Sequence, residues 1–356
     1  MSVFSVTDLG RFRRCRRMWD YSSNARQNLT GIGSGPEPLE LGSLIHRALA
    51  DWIVEWNEKP RDFPEGHLGQ IFLNVAAERQ KEITKSFEEV HGMSVGSEQL
   101  ASLHNVVMLG FHMMNNYQAY HIQPLPKHMR FASPEQEVLI PVPGTEHYCE
   151  DCVRWAQEND RMNVYSDTVS LVKQPGCNSC NGTGTAVHYL SATLDGLIQD
   201  EKDRFLVLEN KTYENRPKLI DLYSNDQFTL YTWVVRELNI GKVVGICYNG
   251  LWKREKPPKY MQREKRAGIM SDLFIRKVIY KEDAELDERG KWLAAEINEM
   301  ANNPVLYPNI PWQGCSSDCS FQDPCRMQQL GEDPTALIRM KYIQREIIRG
   351  GKGGTI

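Results

Sequence analysis

The sequence has no run of apolar residues approaching the roughly eighteen that a membrane-spanning helix needs, which excludes a helical membrane protein. It also lacks a charge excess, since 42 Lys and Arg face 46 Asp and Glu for a net charge of −4. A protein that coats polyanions through bulk charge would be strongly basic, so any contact with nucleic acid must rely on local patches. The phosphate-loop pattern GxxxxGK(S/T) is absent, which removes a motor ATPase from consideration. The opening Met-Ser-Val-Phe-Ser-Val-Thr-Asp has no charged-then-apolar leader pattern, and a cytoplasmic protein is expected. No internal repeat is visible beyond two CxxC units.

What remains is ordinary globular material, 41% hydrophobic and 25% charged over 356 residues. That is enough for a sizeable core in one large domain or two. Ser5-Val-Thr-Asp8 reads as a capping box opening a helix that carries Leu9, Phe12 and Trp19. Apolar spacing predicts further helices over 41–56, 68–90 and 97–121, so the chain reads as helical to about residue 122. Pro124, Pro126 and Pro134 then break the pattern, and strand-like alternation begins at Glu135. The runs 188–198 and 205–211 flank a polar turn, Asp200–Arg204, and read as a β-hairpin. A helix is expected over 225–238, strands over 243–248 and 274–280, and a last helix over 283–301. The expected organisation is a helical region 1–124 and a core 125–301 carrying an insertion at 143–187. A cysteine segment 302–330 follows, then a C-terminal helix and a disordered Gly-rich tail over 331–356.

Alternate strand residues share a face, so Phe205, Val207, Glu209 and Lys211 project together. Two apolar residues followed by Glu and Lys mean that this face leaves the core for a polar site. Asp195 lies on the partner strand, within reach of Glu209. Two carboxylates can hold Mg²⁺ or Mn²⁺, which neutralises a phosphodiester and activates water. An ammonium beside them orients that water or stabilises developing charge. A plain surface ion pair between Glu209 and Lys211 is the alternative.

Two more patterns frame the hairpin. Gly42-Ser-Leu-Ile-His46 sets a histidine on an amphipathic helix, and Gln227-Phe-Thr-Leu-Tyr231 sets Gln and Tyr on one helical face. In the order GxxxH, D, ExK, QxxxY, the motifs resemble those of the RecB-like nucleases of the PD-(D/E)XK superfamily, from about residue 5 to 325 with one insertion. The resemblance implies an α/β fold of the restriction-endonuclease-like kind, with a mixed sheet flanked by helices, a helical N-terminal region and a zinc-binding insertion. It implies a metal held by His46, Asp195, Glu209 and the Asn210 carbonyl, with Lys211 serving the attacking water. Gln227 and Tyr231 would position the DNA strand or the lysine. It further implies a DNA exonuclease preferring single strands, with 5′-to-3′ polarity, in recombination, repair, or phage or CRISPR DNA processing. Its partner would be a helicase, recombinase or integrase. A DNA-binding or adaptor subunit that does not cleave is the alternative.

Nine cysteines need their own account. In an intracellular chain, clustered cysteines point to metal before disulfides. Cys315, Cys319 and Cys325 supply three thiolates where a metal wants four, and Cys15 is the candidate fourth. Thiolates in fours suit zinc or an iron–sulfur cluster. One N-terminal and three C-terminal cysteines resemble the iron–sulfur members of the RecB family, the AddB-type and CRISPR-adaptation exonucleases, which implies a 4Fe–4S cluster. Zinc on the same residues, or unlinked thiols, are the alternatives. Such a clip would close almost the whole chain.

Cys149, Cys152, Cys177 and Cys180 form two CxxC units 24 residues apart, a zinc-ribbon spacing, with His147 and His188 as alternative ligands. The second unit, continuing Asn-Gly-Thr-Gly184, is similar to the CxxCxGxG unit of DnaJ-type zinc modules, whose glycines permit tight turns. The expected role is a metal staple for a loop with little core of its own. Cys247, inside an apolar strand, is expected to be buried and inert. Arg11, Arg13, Arg14, Arg16 and Arg17 crowd Cys15, and Lys253–Arg266 holds seven basic residues against two acidic, near Trp252 and Tyr260. Both runs read as guides for a DNA strand, with a merely solvated charged face as the alternative.

Overall fold

The computed structural model describes residues 2–31, 39–58, 63–91, 97–121, 125, 128–158, 174, 176–180, 182–215, 217–254, 273–302, 306–309, 315 and 319–344. The chain begins β1 (Val3–Ser5), α1 (Val6–Arg14), α2 (Arg16–Ser22), β2 (Leu29–Gly31), α3 (Leu39–Glu58), α4 (His67–His91) and α5 (Ser97–Tyr120). It continues β3 (Arg130–Ser133), β4 (Gln136–Pro141), β5 (His147–Tyr148), α6 (Glu150–Glu158), β6 (Thr185–Ala186), β7 (Tyr189–Leu194), β8 (Gly196–Gln199) and β9 (Phe205–Tyr213). Then come α7 (Leu219–Tyr223), α8 (Asp226–Glu237), β10 (Val243–Trp252), β11 (Phe274–Tyr280), α9 (Asp283–Asn302), α10 (Gln322–Gln329), α11 (Thr335–Lys341) and β12 (Tyr342–Gln344). The mixed α/β class is as expected. Two compact units divide it: Ser34–Gln136 with Thr193–Asp283, and Met1–Gly33 with Glu137–Ala192 and Ala284–Ile356. Among the described residues no helix is long and apolar enough to cross a membrane.

The first of these units is built on five strands in the order β11-β10-β9-β8-β3. β8 and β9 form the expected antiparallel hairpin, with Gly196 opposite Leu208 and Gln199 opposite Phe205. Its turn is closed by the Asp200 carboxylate, which accepts from the backbone N–H of Lys202 at 2.9 Å and of Arg204 at 3.0 Å. Asp203 takes the left-handed conformation there, φ 55°. β9 and β10 run parallel, which requires a crossover, and α7 and α8 supply it. β10 is buried at every position, the pattern of a central strand covered on both faces. α8 packs on β9 and β10, α3 on β9 and α5 on β10. Cys247 lies in the resulting core with Ile53, Ile198, Leu206 and Leu208, and burial pushes its thiol up to about 11. Its burial is as expected, and a thiol held protonated this way is a poor nucleophile.

The other unit holds the sheet β1-β7-β4, with β1 parallel to β7. It also pairs β2 with β12, Gly31 opposite Tyr342 and Leu29 opposite Gln344. The helical reading of residues 1–122 therefore missed β1 and β2. Strands of three residues are too short for alternation to register. The capping box is present, with Asp8 N donating to Ser5 Oγ at 3.1 Å and Ser5 N to Asp8 Oδ2 at 2.9 Å. The helix it opens is not continuous to Trp19. Cys15 is extended, φ −163° and ψ 116°, its N–H ending α1 on the Arg11 carbonyl and its own carbonyl starting α2.

The arginines around Cys15 are committed to their own chain instead of standing free for phosphate. Arg13 pairs with Glu296, its Nη2 at 2.7 Å from Oε2, and Arg16 Nε donates to Glu299 Oε1 at 3.2 Å. Arg17 Nη1 donates to the Cys325 carbonyl at 3.2 Å. Residues 255–266 of the second basic run, Pro124, Pro126 and the Gly-rich tail from 345 onward lie outside the described residues.

Gly245 marks the bulge where β10 shifts register on β9. Its φ is +145°, and a Cβ there would lie 2.0 Å from the Ile279 carbonyl oxygen. Gly245→Ala should therefore destabilise by about 2 kcal/mol or more. Gly10→Ala, in the exposed interior of α1 with open space at its Cβ, should stabilise by about 0.8 kcal/mol. Urea denaturation of the two variants checks both signs.

Candidate active site and metal centres

Asp195 sits at the one-residue break between β7 and β8. Continuing the β8–β9 register by one places it opposite Glu209. Its two oxygens are used separately. Oδ1 lies 3.0 Å from His46 Nδ1, and Oδ2 accepts the Asn210 backbone N–H at 2.6 Å. His46 reaches the carboxylate from α3. Burial works against protonation of His46, but the hydrogen bond to Asp195 and the charges of Asp195 and Glu209 outweigh it and raise its pKa.

Glu209 is only 2% exposed. Burial, with the Asp195 charge, raises its pKa to about 7 against the pull of Lys211 and His46. Lys211 Nζ lies 2.7 Å from Glu209 Oε1, an ion pair whose angle leaves Oε1 without a well-directed hydrogen bond. Burial opposes the lysine's charge, and Glu209 more than compensates, so its pKa is raised. The pair is thus half-buried on the lysine side and buried on the carboxylate side, unlike a solvated surface bridge. From α8, Gln227 Nε2 donates to Tyr231 Oη at 3.0 Å. Burial and the nearby Glu209 charge raise the Tyr231 pKa, which puts its hydroxyl in the field of the same site.

All six side chains named by motif order therefore meet in one unit. They are more open than the sequence suggested. Among the described residues, the one set of three or more His, Cys, Asp or Glu whose ligand atoms all lie within 4.8 Å is Cys149, Cys152, Cys177 and Cys180. His46, Asp195 and Glu209 do not close that tightly. The Asn210 N–H engages Asp195, and Lys211 engages Glu209.

The four-cysteine group has the dimensions of a single-ion site. Sγ–Sγ distances of 3.7 Å (Cys149–Cys177) and 3.5 Å (Cys152–Cys180) are far beyond a disulfide bond. They lie close to the edge of about 3.8 Å of a tetrahedron with 2.3 Å metal–sulfur bonds. Backbone N–H groups of Gly184 and Gln174 donate to Cys180 and Cys152 sulfur at 3.3 and 3.5 Å. Burial works against it, yet the Gly184 N–H and the neighbouring thiols draw Cys180 down to about 6. Gly176, Gly182 and Gly184 all have positive φ, as tight turns around the sulfurs require. His147 and His188 stack on each other, ring centroids 4.2 Å apart, and are not part of the group.

Cys15, Cys315, Cys319 and Cys325 are gathered more loosely. Burial raises the Cys319 pKa, and the other three thiols add to it, so all four share one neighbourhood. Cys319 and Cys325 pack against Tyr21, Phe321 and Tyr342, and Arg17 Nη1 approaches Cys325 Sγ at 3.6 Å.

Sequence reasoning missed two features. Glu135, before β4, has its pKa raised by burial and by the Asp195 charge, and so belongs to the electrostatics of the site. Asn249 is buried in β10 beside Asn210, and a lone amide in an apolar strand was its only sequence trace.

Residues 3–326 match the model of the PD-(D/E)XK nuclease superfamily, and the chain belongs to that superfamily. No curated protein matches the chain. Membership makes it a nuclease-fold protein of a group that works with divalent metals and acts on DNA. A metal held by the four-cysteine group would be lost with any one of its ligands. Cys177→Ala should remove one metal equivalent per chain and lower the melting temperature, as elemental analysis and calorimetry would show.

Proposed function

We propose that this chain is a Mg²⁺- or Mn²⁺-dependent deoxyribonuclease of the iron–sulfur RecB-like branch, acting exonucleolytically on single-stranded DNA with 5′-to-3′ polarity. What supports it most is the meeting of His46, Asp195, Glu209 and Lys211 from α3, the β7–β8 break and β9 within one unit. The donor set suits a hard cation. Glu209 Oε1 is a buried carboxylate oxygen with no directed hydrogen bond, a lone pair that a metal would take. His46, Asp195, Glu209 and the Asn210 carbonyl would hold the ion. When bound, it would supply Lewis-acid neutralisation of the phosphodiester and a lowered pKa for water.

The remaining work falls to the chain. Lys211, kept cationic by Glu209, holds the attacking water's oxygen and offsets charge developing on phosphorus oxygens. Tyr231 and Gln227, bonded to each other, orient the lysine or the strand backbone. Zinc suits Cys149, Cys152, Cys177 and Cys180 by size and donor type. The wider set of Cys15, Cys315, Cys319 and Cys325 suits a 4Fe–4S cluster, which holds its thiolates farther apart than one ion does. The polarity, the strand preference and a helicase, recombinase or integrase partner rest on the resemblance to the RecB family.

Asp195→Ala, Glu209→Ala and Lys211→Ala should each lower cleavage of end-labelled single strands in Mn²⁺ by about a hundredfold or more, with unchanged circular dichroism. Wild-type protein that binds such strands without cutting them would instead make the chain an adaptor. Anaerobically purified protein should contain iron and sulfide, and Cys315→Ala should lose both. Zinc at both cysteine sites would remove the iron–sulfur assignment and leave the nuclease standing.

A further inference from the structure

The face of the sheet behind Glu209 carries a row of polar residues, two of them buried and one half-buried. Glu209 and Asn210 are consecutive, so their side chains leave β9 on opposite faces. Asn249 of β10 pairs in register with Asn210 on one side and with Arg276 of β11 on the other. Three polar side chains therefore stand abreast on three neighbouring strands. Asn249 is 2% exposed, and a buried amide is costly unless both ends are bonded. Both are. Its Nδ2 donates to Asn210 Oδ1 at 2.8 Å, and its Oδ1 accepts from Tyr117 Oη at 3.0 Å. Tyr117, buried on α5, accepts in turn from Arg276 Nη2.

The direction of every bond is fixed by the guanidinium, which can only donate. Arg276 gives to Tyr117, whose single proton then goes to Asn249, whose amide hydrogens go to Asn210. Such a one-way chain of donors starting at a permanent cation strengthens along its length. It ends on the residue whose backbone N–H grips Asp195 Oδ2 at 2.6 Å.

We propose that Asn249, Tyr117 and Arg276 form a positioning relay that locks the Asn210 peptide, and through it the Asp195 carboxylate, in the geometry needed for metal binding. None of the three is among the proposed metal ligands. The proposal rests on the metal-site reading above. Groups that hold metal ligands in place change metal affinity or activity by about 10- to 100-fold when removed.

The test is Mn²⁺ affinity of the purified full chain, read from the free-ion EPR signal without DNA, beside kcat, KM and melting temperature. Tyr117→Phe keeps the ring and removes the hydroxyl, and Asn249→Leu keeps the volume and removes the amide. Both should weaken Mn²⁺ binding by about 10-fold or more and lower kcat at limiting Mn²⁺, with KM for DNA within about twofold. Cys247→Ala, two residues along the same strand, should lower the melting temperature and leave Mn²⁺ affinity unchanged. Mn²⁺ affinities within about twofold of wild type in both relay variants would overturn the relay, as would an equal loss in Cys247→Ala. Asp195→Ala separates the two readings. If it leaves Mn²⁺ binding intact, the metal site itself is wrong. If it abolishes binding that the relay variants leave untouched, only the relay falls.

Discussion

The division of labour between the two oxygens of Asp195 is the constraint on which the candidate site depends. One oxygen reaches a histidine brought by α3, and the other takes a main-chain N–H of β9. A helix and a strand far apart in sequence are thereby tied to one carboxylate. Asp195 makes the tie from the single residue between β7 and β8, through side-chain oxygens alone. Burial sharpens the electrostatics. Two carboxylates, an imidazole and an ammonium share a region of lowered dielectric, and the shifts of His46, Glu209 and Lys211 each carry the charges of their neighbours.

A different economy governs the cysteine-bearing unit. Its sheets are small, and three-residue strands bury little. The same unit carries both cysteine sets, Cys149, Cys152, Cys177 and Cys180 being tight enough for a single ion and Cys15, Cys315, Cys319 and Cys325 wider. The arginines around Cys15 serve this closure as well. Their partners Glu296 and Glu299 lie on α9, almost three hundred residues away, so positive charge that looked destined for DNA joins remote segments of the chain.

Legibility in the sequence followed the length over which a pattern acts. The hairpin, the crossover helix and α9 were visible because their apolar spacing runs through many residues and agrees with their turn chemistry. The motif residues His46, Asp195, Glu209, Lys211, Gln227 and Tyr231 could be named from order alone, and the structure brings them together. β1, β2 and the break at Cys15 left no trace, since three residues or one extended residue carry no period. Glu135 and the row behind β9 depend on cross-strand register, which local sequence does not encode.

The pairing of β2 with β12 bears on how the protein is made. Leu29–Gly31 leaves the ribosome about 310 residues before Tyr342–Gln344. At ordinary elongation speeds that is a wait of roughly 15 to 60 s, during which an unpaired strand edge stays available to other chains. The unit bearing His46 and Glu209 needs nothing beyond Asp283 to complete its segments, and it can finish folding first. A chain stalled or cut short between residues 283 and 342 would keep the segments of the unit bearing His46 and Glu209 and lose the strand that pairs with the early edge, so such truncated products should be held by chaperones or degraded.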